Sequence, residues 1–176
     1  MILGMSLATF TQLHVIISLI GIASGIAVLL GMLGAKRMPG LTALFLISTV
    51  LTNVTGLMFE TPADAPRVIG SLDPAKIIGL ISLIVLVPAI VGLYTYKLAG
   101  PWRGSYVIGS IIALYFNCFV LVVQSFAKIA FLHALAPTQK EPPFAVAQGV
   151  LLILFIGLGI AAFRKFKPLF KAPALA

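Results

Sequence analysis

The sequence predicts an all-α integral membrane bundle of five transmembrane helices, and three observations carry that prediction. Only 9% of its 176 residues are charged and 61% are hydrophobic, whereas a soluble domain carries about 25% charged residues. Five apolar runs are each long enough to cross about 30 Å of hydrocarbon at about 1.5 Å per residue. All the acidic residues, Glu60, Asp64, Asp73 and Glu141, fall in two of the gaps between those runs. The other charged gaps hold only Lys and Arg, the alternation expected of the positive-inside rule.

The first span covers residues 13–33. The stretch before it has no positive charge, and the span ends at Lys36-Arg37. That is the reverse of a secretory signal peptide, so it reads as a retained helix with its N-terminus outside. Lys36-Arg37-Met38-Pro39-Gly40 is too short for anything but an antiparallel hairpin turn into the second span, 41–59. Asp73-Pro74 supplies an N-cap followed by proline at the first helical position. The third span, 77–96, contains Pro88, which should kink it. Leu98 to Gly104 forms a second tight turn. The fourth span, 105–128 with a continuation to about 135, would be about 46 Å long as one helix and must tilt or project. The proline-rich stretch from Ala136 to Phe144 is stiff and aims the fifth span, 145–163, back into the membrane. No repeat or soluble segment divides the chain, so residues 1–176 read as one domain.

Counting cations tests the topology. With the N-terminus outside, the inner segments hold Lys36, Arg37, Lys97, Arg103, Arg164, Lys165, Lys167 and Lys171. The outer segments hold Arg67, Lys76, Lys128 and Lys140, together with every carboxylate. This points to a multi-pass membrane protein with a cytoplasmic C-terminus. The formal charge of +8 then finds its partners in membrane lipids, above all anionic lipid at the cytoplasmic face. No basic face with interleaved aromatics exists for nucleic acid. Trp102, Tyr94 and Tyr96 belong to an inner aromatic belt, and Phe163, Phe166 and Phe170 alternate with the terminal cations as an interfacial anchor.

The spans contain no deep Asp, Glu, Lys or Arg, so ion coupling and proton pumping lack their usual groups. No metal-binding, phosphate-loop or nucleophile–base motif is present, and Cys118 is the single cysteine. No catalytic residue is therefore expected. What remains is a polar layer in the outer part of the bilayer. Counted from the inner charges, Asn53, Asn117, Gln148 and Ser82 lie about 21–24 Å up, Ser18 about 27 Å and Gln124 about 31 Å. These groups are either interhelical hydrogen-bonding glue or the wall of an outward-facing pocket, with His14, for a small amphiphile such as a quinone or lipid. Gly21 with Gly25, Gly109 with Ala113, and Gly157 with Ala161 are small-residue stripes that predict close helix approach. Haem bound between His14 and His133 is disfavoured, because His133 should lie about 7 Å beyond Lys128. Lys128 is placed for an ion pair with Glu60 or Glu141.

Several blocks carry a resemblance: Leu13-His14-Val15, Thr52-Asn53-Val54-Thr55-Gly56, Leu114-Tyr115-Phe116-Asn117, Val122 to Phe126, and Leu135 to Phe144. The chain resembles an uncharacterised family of small multi-pass bacterial membrane proteins. The resemblance implies an inner-membrane setting and brings no activity with it. The sequence thus favours a non-catalytic structural or accessory component, associating with a partner membrane protein or with its own copies. The alternatives are the amphiphile binder and, behind it, a haem-bearing redox protein.

Overall fold

The computed structural model describes residues 2–60 and 73–167. Asp64, Arg67, Phe170 and Lys171 lie outside the described residues. Among the described residues the fold is all-helical, with 81% helix and no strand; the sole β-type contact among them is an isolated bridge between Ile2 and Met5. The elements are α1 (Leu7–Leu33), α2 (Pro39–Leu57), α3 (Pro74–Tyr94), α4 (Trp102–Lys128), α5 (Ala130–Leu135) and α6 (Pro142–Lys165). All but α5 are long and apolar enough to cross a membrane, as in a multi-pass membrane protein.

Local chemistry sets the helix ends. Helix α1 starts six residues earlier than its apolar run, because Ser6 caps it: the Ser6 hydroxyl accepts from the Thr9 N–H at 3.1 Å. Asp73 caps α3 through its Oδ1, which accepts from Lys76 N–H at 3.0 Å, with Pro74 following. Helix α3 continues through Pro88. The expected single long fourth helix is two helices instead. Ile129 adopts an extended conformation between α4 and α5, which redirects the chain at the end of the apolar run. No 46 Å rod has to be accommodated.

Helices α1 to α4 form an antiparallel ring in sequence order, with α1 on α2, α2 on α3, α3 on α4 and α4 back on α1. Helix α6 packs outside that ring on α4 and α1. Helix α4 is the hub and the most buried element, whereas only Phe155 and Ala162 of α6 are buried. Close approach depends on missing side chains. A Cβ at Gly25 would sit 2.6 Å from Leu114 and 2.8 Å from Phe45, and one at Gly109 would sit 2.8 Å from Ala89 Cβ and 2.9 Å from the Val85 carbonyl. Ala113 is fully buried beside them. Gly157 meets nothing within 4 Å, and the contact to α4 goes through Gly159 against Ile111.

The alternation leaves two chemically distinct ends. The start of α1, end of α2, start of α3 and end of α4 meet where Glu60, Asp73 and Lys128 lie. The opposite end gathers Lys36, Arg37 and Lys97, with Arg103 tied to the end of α6. They are called the acidic and basic ends below.

Candidate functional site

At the acidic end, a cavity of about 690 Å3 lies between α1, α2, α3 and α4. That is within the range of small-molecule pockets, about 300–1,000 Å3. Its walls are largely apolar, with Val15, Leu19, Ile22, Phe116, Val120 and Leu121 among them. Polar side chains are set into those walls at a few points: Thr11, His14 and Ser18 from α1, Thr52 and Asn53 from α2, and Asn117, Gln124 and Ser125 from α4. Glu60, Asp73, Lys76 and Lys128 add charged groups.

Five of the seven polar-layer residues therefore share one cavity: His14, Ser18, Asn53, Asn117 and Gln124. The other two do not line it. Ser82 is completely buried behind the wall, where its hydroxyl accepts from Asn53 Nδ2 at 3.0 Å. Gln148 sits on the far side of α4, donating to the Phe119 carbonyl at 3.3 Å, with its Oε1 buried and unpartnered. His133 is exposed on α5 and is not a lining residue. Among the described residues there is no group of three His, Cys, Asp or Glu side chains that could hold a metal ion. Lys128 makes no ion pair with Glu60 or Glu141. The Glu141 carboxylate instead binds the Thr138 hydroxyl at 2.8 Å and the Thr138 and Lys140 N–H groups at 3.2 and 3.0 Å.

The hydrogen bonds decide what the wall offers. Asn53 and Asn117 each donate an amide N–H to a neighbouring helix, Asn53 to Ser82 and Asn117 to Thr49 Oγ1 at 3.2 Å. Among the described residues no donor reaches either carbonyl oxygen, and both oxygens remain accessible on side chains that line the cavity. Ser18 spends its proton on the His14 carbonyl at 2.7 Å. His14 Nδ1 lies 2.7 Å from Thr55 Oγ1. The Thr55 hydroxyl lies equally close to the Leu51 carbonyl, 2.7 Å away, and this carbonyl can only accept. Thr55 has one proton, and it goes to Leu51, so Thr55 must accept from His14. The neutral ring then carries its proton on Nδ1 and presents Nε2 as an acceptor. Phe59 fixes the ring from the other side, edge to face at 5.2 Å between centroids.

Known protein families, curated proteins and solved structures contain no match to this chain.

The site therefore rests on its own geometry: an apolar chamber whose donors are largely consumed by the fold and whose acceptors remain available. The sequence singled out His14 but not Thr55, which sets its tautomer. A signal for the pair existed. His14 and Thr55, Gly21 and Ser48, and Gly31 and Met38 are equidistant from the α1–α2 turn, as partners in an antiparallel hairpin must be.

Proposed function

We propose that this chain is a multi-pass protein of the bacterial inner membrane that binds a small amphiphile in the cavity at its acidic end. The observation that carries the proposal is a chamber of about 690 Å3 whose polar points include His14, Ser18, Asn53, Asn117 and Gln124. The ligand's apolar body lies against Val15, Ile22, Phe116 and Val120. Its head group donates a hydrogen bond to His14 Nε2 or to an asparagine carbonyl. Hydroxyl-bearing heads such as a hydroquinone, phenol or long-chain alcohol suit this wall better than a head that only accepts. The donors left to the cavity are the Gln124 amide and the Lys128 ammonium.

The N-terminus lies outside and the C-terminus in the cytoplasm, which puts the cavity in the outer leaflet. Charge supports that orientation: Lys36, Arg37, Lys97, Arg103, Arg164, Lys165 and Lys167 gather at one end, against Lys76, Lys128 and Lys140 at the other. No catalytic step is assigned to the chain.

Two experiments test the reading. Native mass spectrometry of protein purified in mild detergent is expected to show a retained amphiphile, lost in Val120→Trp, whose ring fills the chamber. Equal retention by that variant rejects the cavity as the site. For topology, Thr138→Cys and Lys167→Cys are each placed in a Cys118→Ala background. Impermeant thiol reagent applied outside the cell should label only the first.

A structural or accessory role is the second reading, favoured by the Asn53–Ser82 and Asn117–Thr49 bonds that join helices. Stoichiometric co-purification of a partner protein, with no retained amphiphile, would support it instead.

A further inference from the structure

A second, smaller cavity of about 210 Å3 lies at the basic end, between the α1–α2 and α3–α4 turns. Lys36 and Arg37 reach it from one turn and Lys97 from the other, with Tyr94 at the edge. No carboxylate lines it, and these three cations make no hydrogen bond or ion pair among the described residues. Arg103 is different: its guanidinium donates to the Phe163 and Phe166 carbonyls at 2.8 Å each and lies over the Phe163 ring, so it is occupied in closing the end of α6.

Two further features make this more than a charged surface. Thr42 and Tyr106 line the cavity, and both side chains are buried, 4% and 3% exposed. Their hydroxyls are 3.4 Å apart and make no other hydrogen bond, a long separation beside the usual ~2.7–2.8 Å for O–H···O. Between them they hold two protons and use at most one, which leaves a buried O–H donor without an acceptor. The turn that carries Lys97 is also held in an unusual shape. Lys97 and Leu98 are consecutive left-handed residues, at φ 50° and 67°. Leu98 is buried and its N–H donates to the Gly92 carbonyl at 2.8 Å, while Tyr96 stacks on Trp102 at 4.1 Å. The backbone therefore fixes where Lys97 begins.

We infer that this cavity is a binding site for a phosphate group, held by Lys36, Arg37 and Lys97 and accepting a hydrogen bond from the buried Thr42–Tyr106 hydroxyl pair. Donors come from both turns and from the floor, so they surround the anion, which suits a tetrahedral oxyanion better than a planar carboxylate. At about 30 Å3 per water, the volume holds about seven waters. A phosphate head fits inside and acyl chains do not. The source is either the head group of an anionic phospholipid, whose chains stay outside, or a soluble phosphate. The inference is independent of the amphiphile reading, which concerns the opposite end.

The test titrates the full chain in detergent with phosphatidylglycerol and with phosphatidylcholine of matched chains, followed by native mass spectrometry. Phosphatidylglycerol should be preferred. Tyr106→Phe, which removes one oxygen, should weaken it ~3- to 10-fold, the share of one hydrogen bond. Lys36→Gln/Arg37→Gln/Lys97→Gln should weaken it by more than ~10-fold, and Lys140→Gln at the acidic end should leave it unchanged. Competition by inorganic phosphate would make the phosphate ion itself the ligand, and no competition would assign the site to the lipid. Wild-type-like binding by the triple variant, or no binding of either probe, overturns the inference. So does a Tyr106→Phe variant that binds normally while the triple variant does not, since that pattern is diffuse charge attraction.

Discussion

Substituting leucine separately at Asn53 and at Gln124 separates packing from ligand binding. Asn53 donates to the fully buried Ser82 hydroxyl at 3.0 Å, and its carbonyl faces the cavity. Gln124 lines the same cavity and makes no side-chain hydrogen bond among the described residues. Interhelical side-chain bonds in membrane bundles average ~0.6 kcal/mol and reach ~1.7 kcal/mol. Ser82 can turn back to its own helix backbone, so Asn53→Leu should cost ~0.5–1.5 kcal/mol of stability. Gln124→Leu should cost close to nothing. Both should weaken the retained amphiphile, by ~2- to 10-fold where one hydrogen bond of ~0.5–1.5 kcal/mol is lost. Stability is measured by reversible unfolding in mixed micelles, followed through Trp102, the single tryptophan. Retention is measured on the same preparations by native mass spectrometry. Unchanged retention in both variants, with stability lost only in Asn53→Leu, would refute the reasoning and leave the amides as packing groups alone.

Three further expectations follow from particular contacts. Gly109→Ala should be less stable than Gly157→Ala by ~1–3 kcal/mol in the same unfolding assay, because only the first drives a methyl into Val85 and Ala89. Both gain the same ~1 kcal/mol of helix propensity, which cancels in the comparison; equal stabilities would contradict the packing. At Glu141, desolvation pushes the carboxyl up, but the Thr138 hydroxyl and the backbone N–H groups around it push harder, and the net position lies below the ordinary 4.5. A depressed carboxylate contributes order above its unfolded pKa and loses it as pH falls through the folded one. Amide exchange at Lys140 should therefore lose protection as pH drops below about 4.5, and Glu141→Gln should remove that dependence. Nitrogen-15 NMR of His14 should show the neutral ring protonated on Nδ1, and Thr55→Val should abolish the preference; an Nε2–H ring in the native chain would reverse the donor–acceptor assignment of the cavity.

The helices were legible because lipid-length apolar runs and their breakers are strong local signals. Asp73-Pro74 marked the start of α3, whereas Pro39, which reads as part of the turn, is the first residue of α2. The Ser6 cap lies outside the apolar run that begins at Leu13, and a serine without the Glu or Gln of a capping box is a weak start signal. The break at Ile129 left no composition signal, since Ala130 to Leu135 is as helix-compatible as the residues before it. Depth counting grouped Asn53, Asn117, Gln124, Ser18, Ser82 and Gln148, because depth needs only the rise per residue. It could not say which way around the helix each one points. That is why Ser82 and Gln148 fall on other faces, and why Gly157 looks outward while Gly109 packs.

Glue and pocket are not opposing accounts of the amides, because an amide has two ends. In Asn53 and Asn117 the nitrogen is committed to a neighbouring helix and the oxygen is left to the cavity. In His14 the division runs between Nδ1 and Nε2. Bonds that fix the helices also fix the rotamer of each free acceptor, so the wall is preorganised without further ordering when a donor arrives. Lipid surroundings sharpen this arrangement. Water is scarce beside an apolar chamber, and an acceptor left unmet there is costly. A hydroxyl carried on an apolar body meets that need and follows the apolar walls inward. The same accounting holds at the basic end, where the fold spends Arg103 on the end of α6 and leaves three cations and one buried hydroxyl proton unspent. At both ends, the proposed ligand follows from the groups the fold leaves unsatisfied: a donor for the acidic-end chamber and an anion for the basic-end one.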